Sequence, residues 1–146
     1  MRTYLLYFFT GLLTFYITLF LFGISAGFAN ITPVLAIIGS VLIFSLATPF
    51  LIIKRKIGIM LGLISCGLIF PFILGFTFSL FEDGALNIGT LFGFLPIILL
   101  LLAIYNSFKT LKLEQSNINI SLKYVLIIIP VGITILYVIF YGKYWI

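Results

Sequence analysis

Residues 3–53 contain no charged side chain. A single helix over that range would rise about 76 Å at 1.5 Å per residue. The hydrocarbon core of a bilayer is about 30 Å thick and takes roughly 20 helical residues. The run is too long for one crossing and right for two. The break between them is expected where turn-forming residues gather, at Ser25-Ala26-Gly27-Phe28-Ala29-Asn30-Ile31-Thr32-Pro33. Asn30 or Thr32 supplies a cap for the second helix, and Pro33 sits in its first turn, where a missing N–H costs nothing.

The remaining charges cut the chain in the same way. Lys54-Arg55-Lys56 closes the second run, Glu82-Asp83 the third, and Lys109 with Lys112 the fourth; Lys123 and Lys143 bracket the last. The pattern predicts an all-α, polytopic membrane protein in one domain, a bundle of five transmembrane helices near 4–26, 32–53, 57–81, 86–108 and 123–142. A removed signal peptide competes for the first run, since Arg2 provides a charged start and Gly27-Phe28-Ala29 a cleavage site. The apolar stretch 4–24 exceeds the roughly 7–15 residues of a signal h-region, so a retained helix is expected.

Composition agrees with lipid as the solvent. Hydrophobic residues make up 64% of the 146 positions and charged residues 8%, against roughly 25% charged in a soluble domain. A soluble monomer exposes apolar patches of a few hundred Å² at most, and these few charges leave far more uncovered. The net charge of +5 does not point to nucleic acid, because the cations stand at the ends of apolar runs, where they orient helices. With the N-terminus cytoplasmic, Arg2, Lys54, Arg55, Lys56, Lys109, Lys112 and Lys123 all lie inside. Only Lys143, in the exterior C-terminal segment, lies outside. Lys54, Arg55 and Lys56 are the main topology anchors. Tyr4 and Tyr7 are expected at the inner interface, and Tyr141, Tyr144 and Trp145 at the outer one. The abundance of Ile and Phe suits an AT-rich bacterial genome and hence a bacterial cytoplasmic (inner) membrane. The segment 109–122 reads as an interfacial loop, because the alternation at Ile118, Ile120 and Leu122 gives a lone strand no partner.

In lipid, small and weakly polar residues mark helix contacts. Thr3, Tyr7, Thr10, Thr14 and Thr18 share one face of the first helix by their spacing. One reading is a hydroxyl-lined path for a polar solute, with Thr10, Thr14 and Thr18 at its centre. The other is that the hydroxyls bond to backbone carbonyls or to a neighbouring helix. Three Gly-x-x-x-Gly pairs, Gly23/Gly27, Gly58/Gly62 and Gly89/Gly93, allow close backbone approach, within the chain or with a partner. Pro49, Pro71, Pro96 and Pro130 fall within predicted spans, each removing a helical hydrogen bond. Pro71, flanked by Gly67 and Gly75, is the hinge candidate; static kinks are the alternative.

The sequence offers little reactive chemistry. With no His and Cys66 as the single cysteine, it has no intrachain disulfide and no Cys/His metal set. No Asp, Glu, Lys, Arg or His falls in the interior of a predicted span, where such groups mark proton and ion pathways. No membrane-embedded Ser, Thr or Cys has a base beside it to make it a nucleophile. Cys66 is expected to fill space, and Glu82-Asp83-Gly84 to form a solvated turn. The expectation is therefore no catalysis, catalytic residue, metal or cofactor. It is an accessory or structural subunit whose partners are the bilayer and a membrane protein or further copies of itself. A small transporter, channel or permease component is the alternative. A membrane enzyme on a lipid substrate, working through Glu82, Asp83 or Glu114, is the third.

Overall fold

The computed structural model describes residues 1–24, 31–82, 94–111 and 119–141, with side-chain surroundings described for 1–14, 37–75, 77–78, 94–111, 119–136 and 139. Among these residues the chain is all-helical, without strands: α1 (Arg2–Ile24), α2 (Ile31–Ile53), α3 (Arg55–Glu82), α4 (Leu95–Leu111) and α5 (Ile120–Tyr141). Pro33 falls in the first turn of α2, where its fixed φ suits the helix.

Helix boundaries follow local chemistry. Lys54 alone separates α2 from α3: its N–H donates to the Phe50 carbonyl at 2.8 Å, and its carbonyl accepts from Gly58 N–H at 3.1 Å. One residue thus ends the first helix and opens the second. Arg55 and Lys56 consequently occupy the first turn of α3, two residues ahead of the expected start. Cations there oppose the helix macrodipole, so the stability of α3 does not account for them.

The fourth and fifth elements depart from the predicted bounds. Phe94 lies in a turn and the described helix α4 begins at Leu95; the expected start at 86 falls in residues 83–93, outside the described set. Pro96 is therefore at the second position of a helix, where its absent N–H belongs to the unpaired first turn. It opens α4 instead of kinking a span. α5 begins at Ile120, ahead of the expected 123, because the Asn119 carbonyl accepts Lys123 N–H at 2.9 Å. That is the backbone pattern of an N-cap, a position Asn favours. Ile120 and Leu122 are helical, so their alternation carries no strand signal.

α1 packs on α2 and α4, and α3 packs on the same two helices, closing a four-helix ring; α5 lies outside it against α2. Named contacts fix the directions. Thr3 meets Thr110 and Tyr7 meets Ser107, so α1 and α4 are antiparallel. Tyr4, Ile52 and Leu126 share one cluster, and a Cβ on Gly58 would overlap the backbone of Leu51. The starts of α1, α3 and α5 and the ends of α2 and α4 therefore gather at one end of the bundle. Arg2, Lys54, Arg55, Lys56, Lys109 and Lys123 all stand at that end, while α3 runs to Glu82 at the other.

The interior is apolar with bonded hydroxyls set around it. Tyr7, Phe44, Ala47, Cys66, Ile69, Ile73, Leu100 and Ala103 form the main cluster, with Thr3, Thr10, Thr14, Ser40, Thr48, Ser65 and Ser107 buried around it. The outside carries the large side chains, including Phe9, Met60, Ile64, Phe78, Leu101, Phe108, Ile128 and Ile139. Among the described residues one stretch, Arg55–Gly75, is long and apolar enough to cross a membrane. Only 39% of its most apolar window is buried in the fold.

Candidate functional site: a buried hydroxyl network

The helical spacing of Thr3, Tyr7, Thr10 and Thr14 puts all four inside the bundle. Thr10 donates to the Leu6 carbonyl at 2.6 Å and Thr14 to the Thr10 carbonyl at 2.7 Å. Both thus bond back to the preceding turn of their own helix. Thr18 lies in α1, with its side chain outside the described set. Ser107 donates to the Ala103 carbonyl at 2.6 Å and shares a bond with the Tyr7 hydroxyl, which also reaches the Ile59 carbonyl of α3 at 3.4 Å. Thr110 likewise donates to Asn106, so Thr3 donates to Thr110, at 3.1 Å. Two hydroxyl pairs therefore tie α1 to α4.

Tyr4 and Tyr7 are not interface anchors. They are 6% and 0% exposed: Tyr7 lies on the Thr stripe, and Tyr4, to one side of it, is covered by Ile52 of α2 and Leu126 of α5. Tyr4 donates to the Leu126 carbonyl at 2.6 Å. Leu126 lies four residues before Pro130, and its carbonyl is the one that Pro130, lacking an N–H, leaves without a helical donor. Tyr4 of α1 supplies the missing bond across the helix interface. Pro49 leaves the Ser45 carbonyl in the same position, and Thr48 reaches it at 3.2 Å while also reaching Phe44 at 3.1 Å. The sequence carries both signals, a hydroxyl residue and a carbonyl four positions before each proline. The long-range partner Tyr4, however, is visible only in the fold.

Two more hydroxyl pairs escape the stripe pattern. Ser40 donates to the Ser65 carbonyl at 3.1 Å and Ser65 to the Ser40 carbonyl at 2.6 Å, a reciprocal clasp between α2 and α3. Ser45 bonds to Thr134 and reaches the Pro130 carbonyl at 3.0 Å, which also accepts from Thr134 at 2.8 Å. The cue for these is a lone Ser or Thr in an apolar run, which by itself names no partner.

Gly62 sits against the Tyr7 ring, where a Cβ would overlap it; Gly58 sits against the α2 backbone at Phe50 and Leu51. Both glycines therefore make contacts inside the chain. Gly23 lies in α1 with its surroundings outside the described set, and Gly27, Gly89 and Gly93 lie outside the described residues. Pro71 is on the outer face of the continuous helix α3, with open space within 4 Å of a Cβ at Gly67 or Gly75. It lines no internal path. Lys54 and Lys56 are exposed and Arg55 is half-buried at the α2–α3 corner. Cys66 is 1% exposed within the core. Asp83, Lys112 and Glu114 lie outside the described residues, as does the side chain of Glu82.

A half-open pocket with a cavity volume of about 40 Å³ lies between α1, α2 and α5. Its lining is chiefly apolar, with Tyr7, Ser45, Thr48 and Thr134 among its polar members. Among the described residues no three His, Cys, Asp or Glu side chains gather as metal ligands. Set against known protein families, curated proteins and solved structures, the chain matches none of them.

Proposed function

We propose that this chain is a five-span membrane protein that acts without catalysis, as an accessory or structural subunit binding other membrane helices. One observation carries the reading: among the described residues large apolar side chains cover the outside of the bundle, while the hydroxyls are bonded within an otherwise apolar interior and the cations gather at one end. Water as solvent penalises that arrangement, whereas lipid rewards it, because acyl chains solvate Leu, Ile and Phe while small residues and hydroxyls hold helices together. Helix length adds support: α1 and α2 have 23 residues, α3 has 28 and α5 has 22. The 17 residues of α4 rise about 26 Å.

The basic end is proposed to face the cytoplasm of a bacterium, following the bias of Lys and Arg in short connections. The cations in the first turn of α3, which do not help that helix, fit this topological role. The accessory reading draws on the state of the hydroxyls. Thr10, Thr14, Tyr7 and Ser107 are all engaged in bonds within the chain, so the Thr stripe acts as internal glue. With Gly58 and Gly62 occupied by internal contacts, the partner surface is the outer face of α3, α4 or α5.

The test is purification of a C-terminally tagged protein from its native membrane in mild detergent, followed by mass spectrometry. A stoichiometric membrane partner, or a defined homo-oligomer, is expected. A lone monomer contradicts the proposal. The half-open pocket favours a second reading, a small transporter, channel or permease component. That reading requires solute flux from liposomes above the empty-vesicle rate, altered by Thr10→Val or Thr14→Val.

A further inference from the structure

We propose that the half-open pocket between α1 and α5 seats the upper methylenes of an acyl chain of one anionic phospholipid, whose phosphate is bound by Arg2 and Lys123. This rests on the membrane reading above and deepens it by naming a lipid partner. Helices α1 and α5 both pack on α2, and they meet at the bond from Tyr4 to the Leu126 carbonyl. Beyond that bond they flank a cleft floored by Val41 and Phe44 of α2 and walled by Leu12 and Ile133.

Bonding in the pocket selects an apolar guest. Ser45 and Thr134 bond to each other and to the Pro130 carbonyl, and Thr48 and Tyr7 are engaged as described. A polar solute would have to displace bonds already made, which gains little. A methylene chain asks for none.

Charge and depth select the headgroup. Arg2 opens α1 and Lys123 lies in the first turn of α5, the two helices that wall the cleft. Arg2 is exposed and Lys123 half-buried. Among the described residues this end of the bundle has no acidic side chain. The pocket starts at Tyr7 on α1 and at Pro130 on α5, roughly 8–10 Å along the helix axes from the two cations. A bilayer has polar layers of about 5–8 Å outside its hydrocarbon core. A phosphate held at Arg2 and Lys123 therefore places the upper carbons of its own acyl chain at the pocket. Both cations reach the phosphate as charge-assisted donors.

The test is native mass spectrometry of the protein released from nanodiscs containing equal phosphatidylglycerol and phosphatidylcholine. One retained phosphatidylglycerol per chain is expected. Arg2→Gln with Lys123→Gln lowers that retention about 30-fold, taking each basic residue near an anionic surface at its usual value. Ile133→Phe fills the cleft, leaves both cations and also lowers retention. Lys109→Gln, a cation of the same end on α4, leaves it unchanged. Thermal melting of each variant separates lost binding from lost fold. Equal retention of the two lipids, retention unaffected by the double variant or by Ile133→Phe, or an equal loss in Lys109→Gln overturns the proposal. Carbonate extraction of the source membranes is read alongside. Release of the chain into the soluble fraction overturns the membrane reading itself, while firm retention with no lipid preference overturns the lipid site alone.

Discussion

Tyr4 and Pro130 are 126 positions apart and act on one hydrogen bond. Tyr4→Phe leaves the Leu126 carbonyl with neither its helical donor nor its substitute, at a cost of about 1–2 kcal/mol. Pro130→Ala restores an N–H at the right position, so the Tyr4→Phe loss should shrink to near zero in that background. A double-mutant cycle read by thermal melting in detergent measures the coupling; additive losses contradict the substitution of one donor by the other. Glycine predictions divide by surroundings. Gly62→Ala drives a Cβ into the Tyr7 ring and costs about 1–3 kcal/mol. Gly67→Ala meets open space and changes stability by less than about 1 kcal/mol, in the stabilising direction. Equal melting shifts for the two variants would show that Tyr7 does not pack on Gly62. The sequence shows both glycines at the same four- or five-residue spacings and cannot sort them, because sorting requires knowing which face of α3 meets α1.

At the scale of elements, the ring order and the directions rest on a few side-chain pairs. In a Cys66→Ser background, Thr3→Cys with Thr110→Cys should crosslink on mild oxidation, since the hydroxyls they replace are 3.1 Å apart. Thr3→Cys with Ile64→Cys should not, because Ile64 is on the outer face of α3. Efficient crosslinking of the second pair, or none of the first, contradicts the packing of α1 on α4. The boundaries of α1, α2 and α3 were legible because charged residues and Pro33 punctuate apolar runs. Those of α4 and α5 were not, for different reasons. Pro96 reads equally as a mid-span kink or a helix start until its neighbours are placed. Asn119 reads as loop until its carbonyl is seen to accept from Lys123. The burial of Tyr4 was not legible because an aromatic near a run's end has an interfacial role open to it, and the contact with α5 that covers it exists only in the fold.

For the whole molecule, the account joins two asymmetries: hydroxyls inside with apolar bulk outside, and cations at one end. Neither by itself gives the orientation. The first was foreshadowed by the Thr stripe, and the second by the positions of Arg2, Lys54, Arg55, Lys56, Lys109 and Lys123 in the sequence. The pairings that bring those cations to one end became visible only through contacts such as Thr3 with Thr110. The central claim is a chain that spans the membrane with its basic end inside. The most direct measurement is labelling of single cysteines by a membrane-impermeant maleimide in intact cells, in the Cys66→Ser background. Asp83→Cys and Gly142→Cys should label from outside, whereas Lys56→Cys and Lys109→Cys should label only after the cells are permeabilised. Labelling of Lys56→Cys in intact cells, or protection of all four until lysis, contradicts the account.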